Sequence, residues 1–293
     1  MKENSFLPPR IFAGVPAPYF DFDRAKVVIL PVPYDSTTEW RSGTRDGPQA
    51  IIDASRYLEI YDLELDQETY KVGIHTLPEV EALMSGPENM IQRVYEITGG
   101  LVKKGKLVVM LGGEHSLSFA AVRAFKEAFP RLSVLQFDAH ADLRDEYLGT
   151  KYGQACIMRR VSELCPIVQV GIRSLCREEK QFLEENKMIP FYMSTMRVDE
   201  DLVKHIVTSL SEDVYVTIDV DVFDPSIMPA VGTPEPGGMQ WQQVLDILKS
   251  LAHYKHIVGF DLMEFCPREG PISCAFMLAK LVYKFIGYAM PCA

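Results

Sequence analysis

The sequence predicts an α/β fold built on one parallel, doubly wound sheet that helices cover on both faces. Six apolar runs of strand length recur along the 293 residues, rich in Val and Ile and without clean polar alternation, as is typical of strands buried on both faces. Segments with helical spacing lie between several of these runs. The length alone would allow two domains. No linker-like change of composition appears, so we expect residues 1–293 to form a single domain.

The predicted strands follow one another at 26–30, 107–111, 133–137, 167–170, 214–218 and 257–260. Prolines 31 and 33 end the first strand, and the Gly112-Gly113 pair ends the second. Helices are predicted at 118–129 and 240–251, where apolar residues recur every three or four positions, and at 275–289, which is apolar enough to be largely buried. The irregular stretch at 31–48 is longer than a typical connection, which indicates a functional loop.

The charge balance excludes several classes of partner. The chain has 30 Lys and Arg against 40 Asp and Glu, a net charge of −10. Nucleic-acid binders usually present a basic face, and membrane-surface helices carry clustered basic residues, so neither nucleic acid nor membrane is an expected partner. The first ten residues show no apolar core of a secretory signal, and the six cysteines form no CxxC pair. We therefore expect free thiols and a cytoplasmic protein.

Polar residues that suit metal ions follow three of the predicted strands directly. In open α/β sheets the functional site lies at the carboxyl ends of the strands. Side chains at i, i+2 and i+4 of an extended segment point the same way, so the members of each cluster can converge. Together the three clusters offer six potential ligands: His115, Asp138, His140, Asp142, Asp219 and Asp221.

The charge of this group of ligands indicates two divalent cations. Four aspartates held close together repel one another and raise one another's pKa values, and two divalent ions would balance them. Carboxylates with some imidazole suit Mn²⁺ or Mg²⁺. Taken singly, each cluster has a plainer explanation, such as a loop histidine or a single Mg²⁺ beside a phosphate. No GxxxxGK[ST] phosphate loop is present, and the three clusters together favour a metal centre.

Longer motifs around these positions resemble the signatures of the ureohydrolases, the arginase/agmatinase family. They are GGEHS at 112–116, FDAHADLR at 137–144 and TIDVDVFDPSIMPAVGTPEPGG at 217–238. The segments at 32–51 and at 259–267 (GFDLMEFCP) are also similar to that family. The resemblance covers nearly the whole chain, and the agmatinase branch is the closer match.

This resemblance implies a three-layer αβα sandwich with a central, mainly parallel sheet and a centre of two Mn²⁺ ions. It further implies a homo-oligomer, commonly a trimer or a hexamer. By motif position, one ion would be held by His115 and Asp142 and the other by His140 and Asp221, with Asp138 and Asp219 bridging them. A metal-bridging hydroxide would attack the guanidinium carbon of the substrate to give urea and an amine.

Two further roles follow from the same resemblance. Asp142 is the family's candidate for carrying a proton toward the leaving nitrogen. Glu264 falls where the family's guanidinium-binding carboxylate lies, and a planar cation is held best by a carboxylate through paired hydrogen bonds. Asp261 is a weaker candidate for a hydrogen bond within the site.

One position departs from the family pattern. Many ureohydrolases carry a histidine in a SHASVMRR-like run, and it is thought to shuttle protons near the leaving amine. Here the run reads YGQACIMRR at 152–160, and Gln154 takes the place of the histidine. An amide does not titrate near neutral pH, so Gln154 can hydrogen-bond a substrate or water but cannot act as a general acid.

The substrate is narrowed in part by the loop at 143–150. It contains Asp145 and Glu146 and no Asn or Ser, which favours a cationic tail over a carboxylate, although Arg144 argues the other way. We expect a cationic guanidino small molecule, first of all agmatine, cleaved to urea and putrescine. The alternatives are another guanidino or formimino substrate (aminopropylagmatine, guanidinobutyrate or arginine) and a catalytically weak, metal-containing polyamine-binding protein.

Overall fold

The computed structural model of the chain describes residues 10–291, and within them eight parallel strands form one sheet. The strands are β1 (Val27–Val32), β2 (Ile74–Thr76), β3 (Leu107–Gly112), β4 (Ser133–Phe137), β5 (Ile167–Ile172), β6 (Phe191–Tyr192), β7 (Asp213–Asp219) and β8 (His256–Met263). Their spatial order is β2-β1-β3-β8-β7-β4-β5-β6, and every neighbouring pair is parallel. All six predicted strands are confirmed. The two that sequence reasoning missed are the short edge strands, of three and two residues.

Eight α-helices accompany the sheet within the described residues. They are α1 (Gly47–Ser55), α2 (Pro87–Val102), α3 (Ser118–Ala128), α4 (Ile157–Ser162), α5 (Arg177–Glu185), α6 (Glu200–Thr208), α7 (Trp241–Tyr254) and α8 (Ser273–Ala289). The three predicted helices are α3, α7 and α8, and their bounds are confirmed to within three residues. Five helices were not predicted, although α1 and α2 both carry proline at their first turn, which is a helix-start signal.

Two hydrophobic cores, one on each face of the sheet, make the fold a three-layer αβα sandwich. Alternate residues of β1 show the division, because Val27 and Ile29 pack in one core while Val28 and Leu30 pack in the other. The first core takes apolar side chains from α1, α6, α7 and α8, and the second takes them from α2, α3, α4 and α5. The predicted α/β class and the burial of the strands on both faces are confirmed. That the whole chain is a single domain stays a prediction, consistent with strands from residues 27 to 263 sharing one sheet.

The sheet order explains why the predicted clusters meet. The strands β3, β8, β7 and β4 are consecutive at the centre of the sheet, and each is followed by candidate site residues. Parallel strands place all their carboxyl ends on one edge, so four separate loops converge there.

The predicted irregular segment at 31–48 is a loop over much of its length, between the end of β1 and a 3₁₀ turn at Thr44–Asp46. Buried Asp35 organises it by accepting a hydrogen bond from the Gly43 amide (2.8 Å) and pairing with Arg45. The loop therefore has a defined course beside the carboxyl ends of the central strands.

Within residues 10–291, no helix combines the length and the apolar character that crossing a membrane requires. The five cysteines in that range are free thiols, as expected: Cys156, Cys165, Cys176, Cys266 and Cys274. Cys292 and the first nine residues, on which the signal-peptide prediction depends, lie outside the described residues.

Candidate metal centre and active site

The three predicted ligand clusters come together at the carboxyl edge of the sheet. His115 lies in a 3₁₀ turn after β3, and its Nδ1 is 3.1 Å from Asp138 Oδ2, 3.2 Å from Asp142 Oδ2 and 3.4 Å from Asp219 Oδ2. On the other side of Asp138, His140 Nδ1 lies 2.8 Å from Asp221 Oδ2 and 3.8 Å from Asp138 Oδ1.

These side chains form two groups that could each hold an ion. One consists of His115, Asp138 and Asp219, and the other of Asp138, His140 and Asp221, with candidate ligand atoms within 4.8 Å of one another in each. Asp138 belongs to both groups, so the two candidate positions are adjacent. Asp142 joins the first group through its contact with His115.

The hydrogen bonds behind His115 determine which ring nitrogen faces the carboxylates. Its Nε2 lies 2.8 Å from Thr217 Oγ1, and the Thr217 hydroxyl donates to Asp261 Oδ1 at 2.6 Å. Because that hydroxyl proton is committed to Asp261, Nε2–H must donate to Thr217. The lone pair of Nδ1 then points at the carboxylates, and Nδ1 has no hydrogen-bond partner among the described residues. A cation bound there would satisfy this buried nitrogen, so the donor set fits a metal ion.

The pKa shifts of two aspartates in the cluster also favour bound cations. Burial raises the pKa of Asp138 to about 7, and the charges of Asp142 and Asp221 add to the effect. Burial and the same kind of repulsion raise the pKa of Asp219 well above its usual range. The ionised forms of Asp138 and Asp219 are therefore disfavoured where these residues lie, and divalent cations would stabilise them.

The proposed catalytic residues Asp142 and Glu264 share an uncommon backbone conformation. Both have positive φ, 54° and 64°. Non-glycine residues rarely adopt this region, and such strain concentrates at functional sites because the surrounding structure must hold it in place.

Glu264, directly after β8, is held by its two neighbours from the β3 loop. Its amide donates to the Gly113 carbonyl at 2.9 Å, and its Oε1 accepts from the His115 amide at 2.6 Å. Burial raises the pKa of Glu264 well above its usual range, and nearby Glu114 adds to the effect. A cationic group bound beside Glu264 would favour its ionised form.

A cavity of about 240 Å³ opens over these residues. Its walls include five of the predicted site residues: His115, His140, Asp142, Asp219 and Glu264. Gln154 also lines it. Of the six histidines, His115 and His140 are the two that line this cavity, so no other histidine among the described residues takes the place of the missing one.

Further acidic and basic side chains line the cavity without having been assigned to the site. The Glu179 carboxylate accepts hydrogen bonds from the backbone amides of Leu143 (2.8 Å) and Cys176 (2.7 Å). Glu39 stands at the exposed side. The Arg144 guanidinium lies 4.4 Å from the ring centroid of Tyr147, so it stacks on that ring.

Sequence reasoning missed the supporting residues, of which Glu114 is the most connected. It is fully buried and accepts from the amides of Ser36 and Thr37 and from the hydroxyls of Thr37 and Ser116. Thr37 Oγ1 in turn accepts from the Gln154 amide at 3.0 Å. The available signal was an acidic residue inside the GGEHS run, next to a candidate ligand.

Arg173, after β5, is the second support that was missed. It donates to the backbone carbonyls of Asp221 (2.7 Å) and Glu235 (2.8 Å). It thereby joins the loop after β7 to the segment that carries Glu235, whose carboxylate lies 4.0 Å from His140 Nε2. No local pattern in the sequence marks it.

Comparison with known proteins agrees with this geometry. The model of the arginase family matches residues 25–287. The N(1)-aminopropylagmatine ureohydrolase of Synechocystis sp. is 38% identical over 272 residues, covering 90% of this chain and 89% of that protein. The agmatinase of Pyrococcus horikoshii is 36% identical, covering 92% of this chain and 94% of that protein. The solved agmatine ureohydrolase of Thermoplasma volcanium superposes with a TM-score of 0.86 at 31% identity, covering 96% and 94% of the two chains. The chain belongs to the arginase family and is a ureohydrolase of its agmatinase branch.

Proposed function

We propose that the enzyme hydrolyses a linear guanidino compound with a cationic tail, of which agmatine is the simplest, to urea and an amine. The observation that carries the proposal is the acidic cavity over the ligand clusters, with Glu264 in its wall. The names of the relatives, agmatinase and N(1)-aminopropylagmatine ureohydrolase, support a substrate of this class.

Three residues of the chain would bind the substrate or transfer a proton to it. Glu264 pairs with the guanidinium, and its carboxylate is oriented for this by the His115 amide. Asp142 carries a proton from the attacking water to the leaving nitrogen. Water adds to the guanidinium carbon, the bond from that carbon to the alkyl nitrogen breaks, and urea and an alkylammonium ion leave. Gln154 cannot take part in the proton transfer and is left with a binding role.

We propose that two Mn²⁺ ions are held by His115, Asp138, His140, Asp142, Asp219 and Asp221. Divalent ions bound there would lower the pKa of a water molecule and provide the nucleophile at neutral pH. Carboxylate oxygen with some imidazole nitrogen is a donor set that suits Mn²⁺.

Substitution of the shared ligand tests the metal assignment. We expect Asp138→Ala to lose both ions, because Asp138 belongs to both groups. The measurement is metal content by elemental analysis after dialysis against Mn²⁺. Asp23→Ala, which removes an exposed aspartate outside the site, is the control and should retain both ions. Retention of either ion by Asp138→Ala would contradict the shared position.

A substrate panel tests the reaction. With Mn²⁺ present, urea release is measured from agmatine, N(1)-aminopropylagmatine, guanidinobutyrate and arginine, and formamide release from a formimino compound. We expect the two substrates with amine tails to have the highest kcat/KM. Equal rates on the two carboxylate-bearing compounds would refute the cationic-tail preference. No product from any member, with metal bound, would favour a polyamine-binding protein instead.

We also propose that the enzyme is a homo-oligomer, a trimer or a hexamer, and that it is located in the cytoplasm. The five free thiols support the second proposal, because free thiols are typical of a reducing compartment. Sedimentation of the purified protein tests the assembly.

A further inference from the structure

A second cavity of about 250 Å³, the outer cavity, adjoins the first, and none of the six predicted metal ligands lines it. The two cavities share three wall residues, Glu39, Gln154 and Ala155, so they lie side by side at that point. The outer cavity is completed by residues of two loop segments that do not line the inner one: Ser36, Thr37, Thr38, Tyr147, Leu148, Thr150 and Gly153.

The walls of the outer cavity suit an alkylammonium group. Glu39 contributes the carboxylate, and the Tyr147 hydroxyl donates to its Oε2 at 3.3 Å. No Lys or Arg lines this cavity among the described residues; Arg144 lines the inner cavity, with its guanidinium 4.4 Å from the ring centroid of Tyr147. A carboxylate beside hydroxyls and aliphatic carbon recognises a primary ammonium on a methylene chain.

Gln154 stands at the junction with an acceptor that has no partner. Its Oε1 is buried and makes no hydrogen bond to any described residue. Its backbone is held in place, because the amide donates to Thr37 Oγ1 (3.0 Å), which is itself bound to Glu114. A ligand that brings an N–H group to this oxygen would give it the hydrogen bond that it lacks, so the position favours such a ligand.

We propose that the outer cavity is a subsite for the second amine of a guanidino compound with two amines in its tail. The guanidinium lies at Glu264, the inner secondary ammonium donates to Gln154 Oε1, and the terminal ammonium pairs with Glu39. This inference rests on the proposed function and deepens it, since it makes Glu39 and Gln154 specificity-determining residues. A guanidino compound with a single amine leaves the outer cavity unfilled.

The test compares two substrates across matched variants. The ratio of kcat/KM for N(1)-aminopropylagmatine to that for agmatine is measured for the wild type, Glu39→Gln and Thr38→Lys. Thr38 lines only the outer cavity, so the lysine adds a repelling charge there and leaves the inner cavity intact. Glu146→Gln is the control: the sequence pointed to this acid as selecting a cationic tail, but in the structure it is exposed and lines neither cavity.

We expect the ratio to fall roughly 5- to 10-fold in Glu39→Gln and in Thr38→Lys, chiefly through KM for the longer substrate, and to stay unchanged in Glu146→Gln. A ratio unaffected by both variants overturns the subsite. An equal fall in Glu146→Gln also overturns it, because the effect is then one of overall charge.

Calorimetric binding of the two amine products separates this inference from the proposed reaction, because it requires no turnover. Spermidine, the amine product of the longer substrate, should bind the wild type at least 5-fold more tightly than putrescine, and Glu39→Gln should remove the difference. Equal binding of the two amines by the wild type overturns the subsite whether or not urea is formed. Failure of the urea assay with the binding preference intact overturns the proposed function alone.

Discussion

Replacing Thr217 by valine tests the arrangement that orients His115. The side chain lies at the centre of a fully buried chain of hydrogen bonds, with His115 Nε2 at 2.8 Å, Asp261 Oδ1 at 2.6 Å and Ser118 Oγ at 3.1 Å from its hydroxyl oxygen. Valine has nearly the same shape as threonine, so the substitution removes the hydroxyl and leaves the packing intact.

The size of the effect follows from the groups that are left unpaired. The His115 Nε2–H loses its acceptor, and the Asp261 carboxylate loses the hydrogen bond from Thr217 while it keeps that from Tyr215, at 2.7 Å. Each buried polar group left unpaired costs about 1–3 kcal/mol, so we expect the free energy of unfolding of the metal-free protein to fall by roughly 2–5 kcal/mol. The freed imidazole no longer holds Nδ1 toward the carboxylates, and losing such support typically lowers metal affinity by about 10- to 100-fold.

Thr98 in α2 provides a control for the same chemical change. It is also fully buried, but its hydroxyl has no hydrogen-bond partner within residues 10–291. Thr98→Val should therefore leave the free energy of unfolding unchanged or raise it by about 1 kcal/mol, with unaltered metal binding. The assays are chemical unfolding of the metal-free proteins and titration calorimetry with Mn²⁺. Wild-type Mn²⁺ affinity in Thr217→Val, or equal losses in the two variants, would refute the reasoning.

Three further substitutions probe the backbone and the charges away from the ligands. Gly113→Ala should lower the free energy of unfolding by roughly 3 kcal/mol in thermal or chemical unfolding, because its Cβ would lie 1.9 Å from the Tyr34 carbonyl oxygen. Gly99→Ala, where nothing lies within 4 Å, should instead stabilise α2 by up to about 1 kcal/mol, and equal effects would contradict the close approach. Burial opposes ionisation of Glu64, but hydrogen bonds led by Lys249 outweigh it and lower its pKa to about 2 from an ordinary 4.5. Its ionised form therefore stabilises the fold above pH 4.5, and this contribution is lost as the pH falls toward 2. The stability deficit of Glu64→Gln should accordingly be present at pH 6 and shrink by pH 3 in chemical unfolding; a deficit that does not change with pH would contradict it.

The central strands and the six ligands were predictable because their signals are local. A strand buried on both faces is a short run of Val and Ile, and the aspartates and histidines of each cluster stand within five residues of the strand that positions them. The edge strands β2 and β6 were not predictable in this way, since two or three residues carry no periodicity. The helix α2 was obscured by Gly99 and Gly100, which weaken a helical pattern.

By itself, the sequence determined the class of the fold, the identity of the candidate ligands and the departure at Gln154, because each is written in a short stretch of neighbouring residues. The tertiary structure alone decided which side chains support them. Asp261 is linked to His115 by hydrogen bonds through Thr217. Glu114 is linked to Gln154 through Thr37, which lies 77 residues from Glu114 and 117 residues from Gln154 in the sequence. Such contacts depend on the order of strands in the sheet and on the course of the loop at 33–43, and these arise from packing between distant segments. The shared walls of the two cavities at Glu39 and Gln154 arise in the same way, because the sheet brings together two loops that are far apart in the chain.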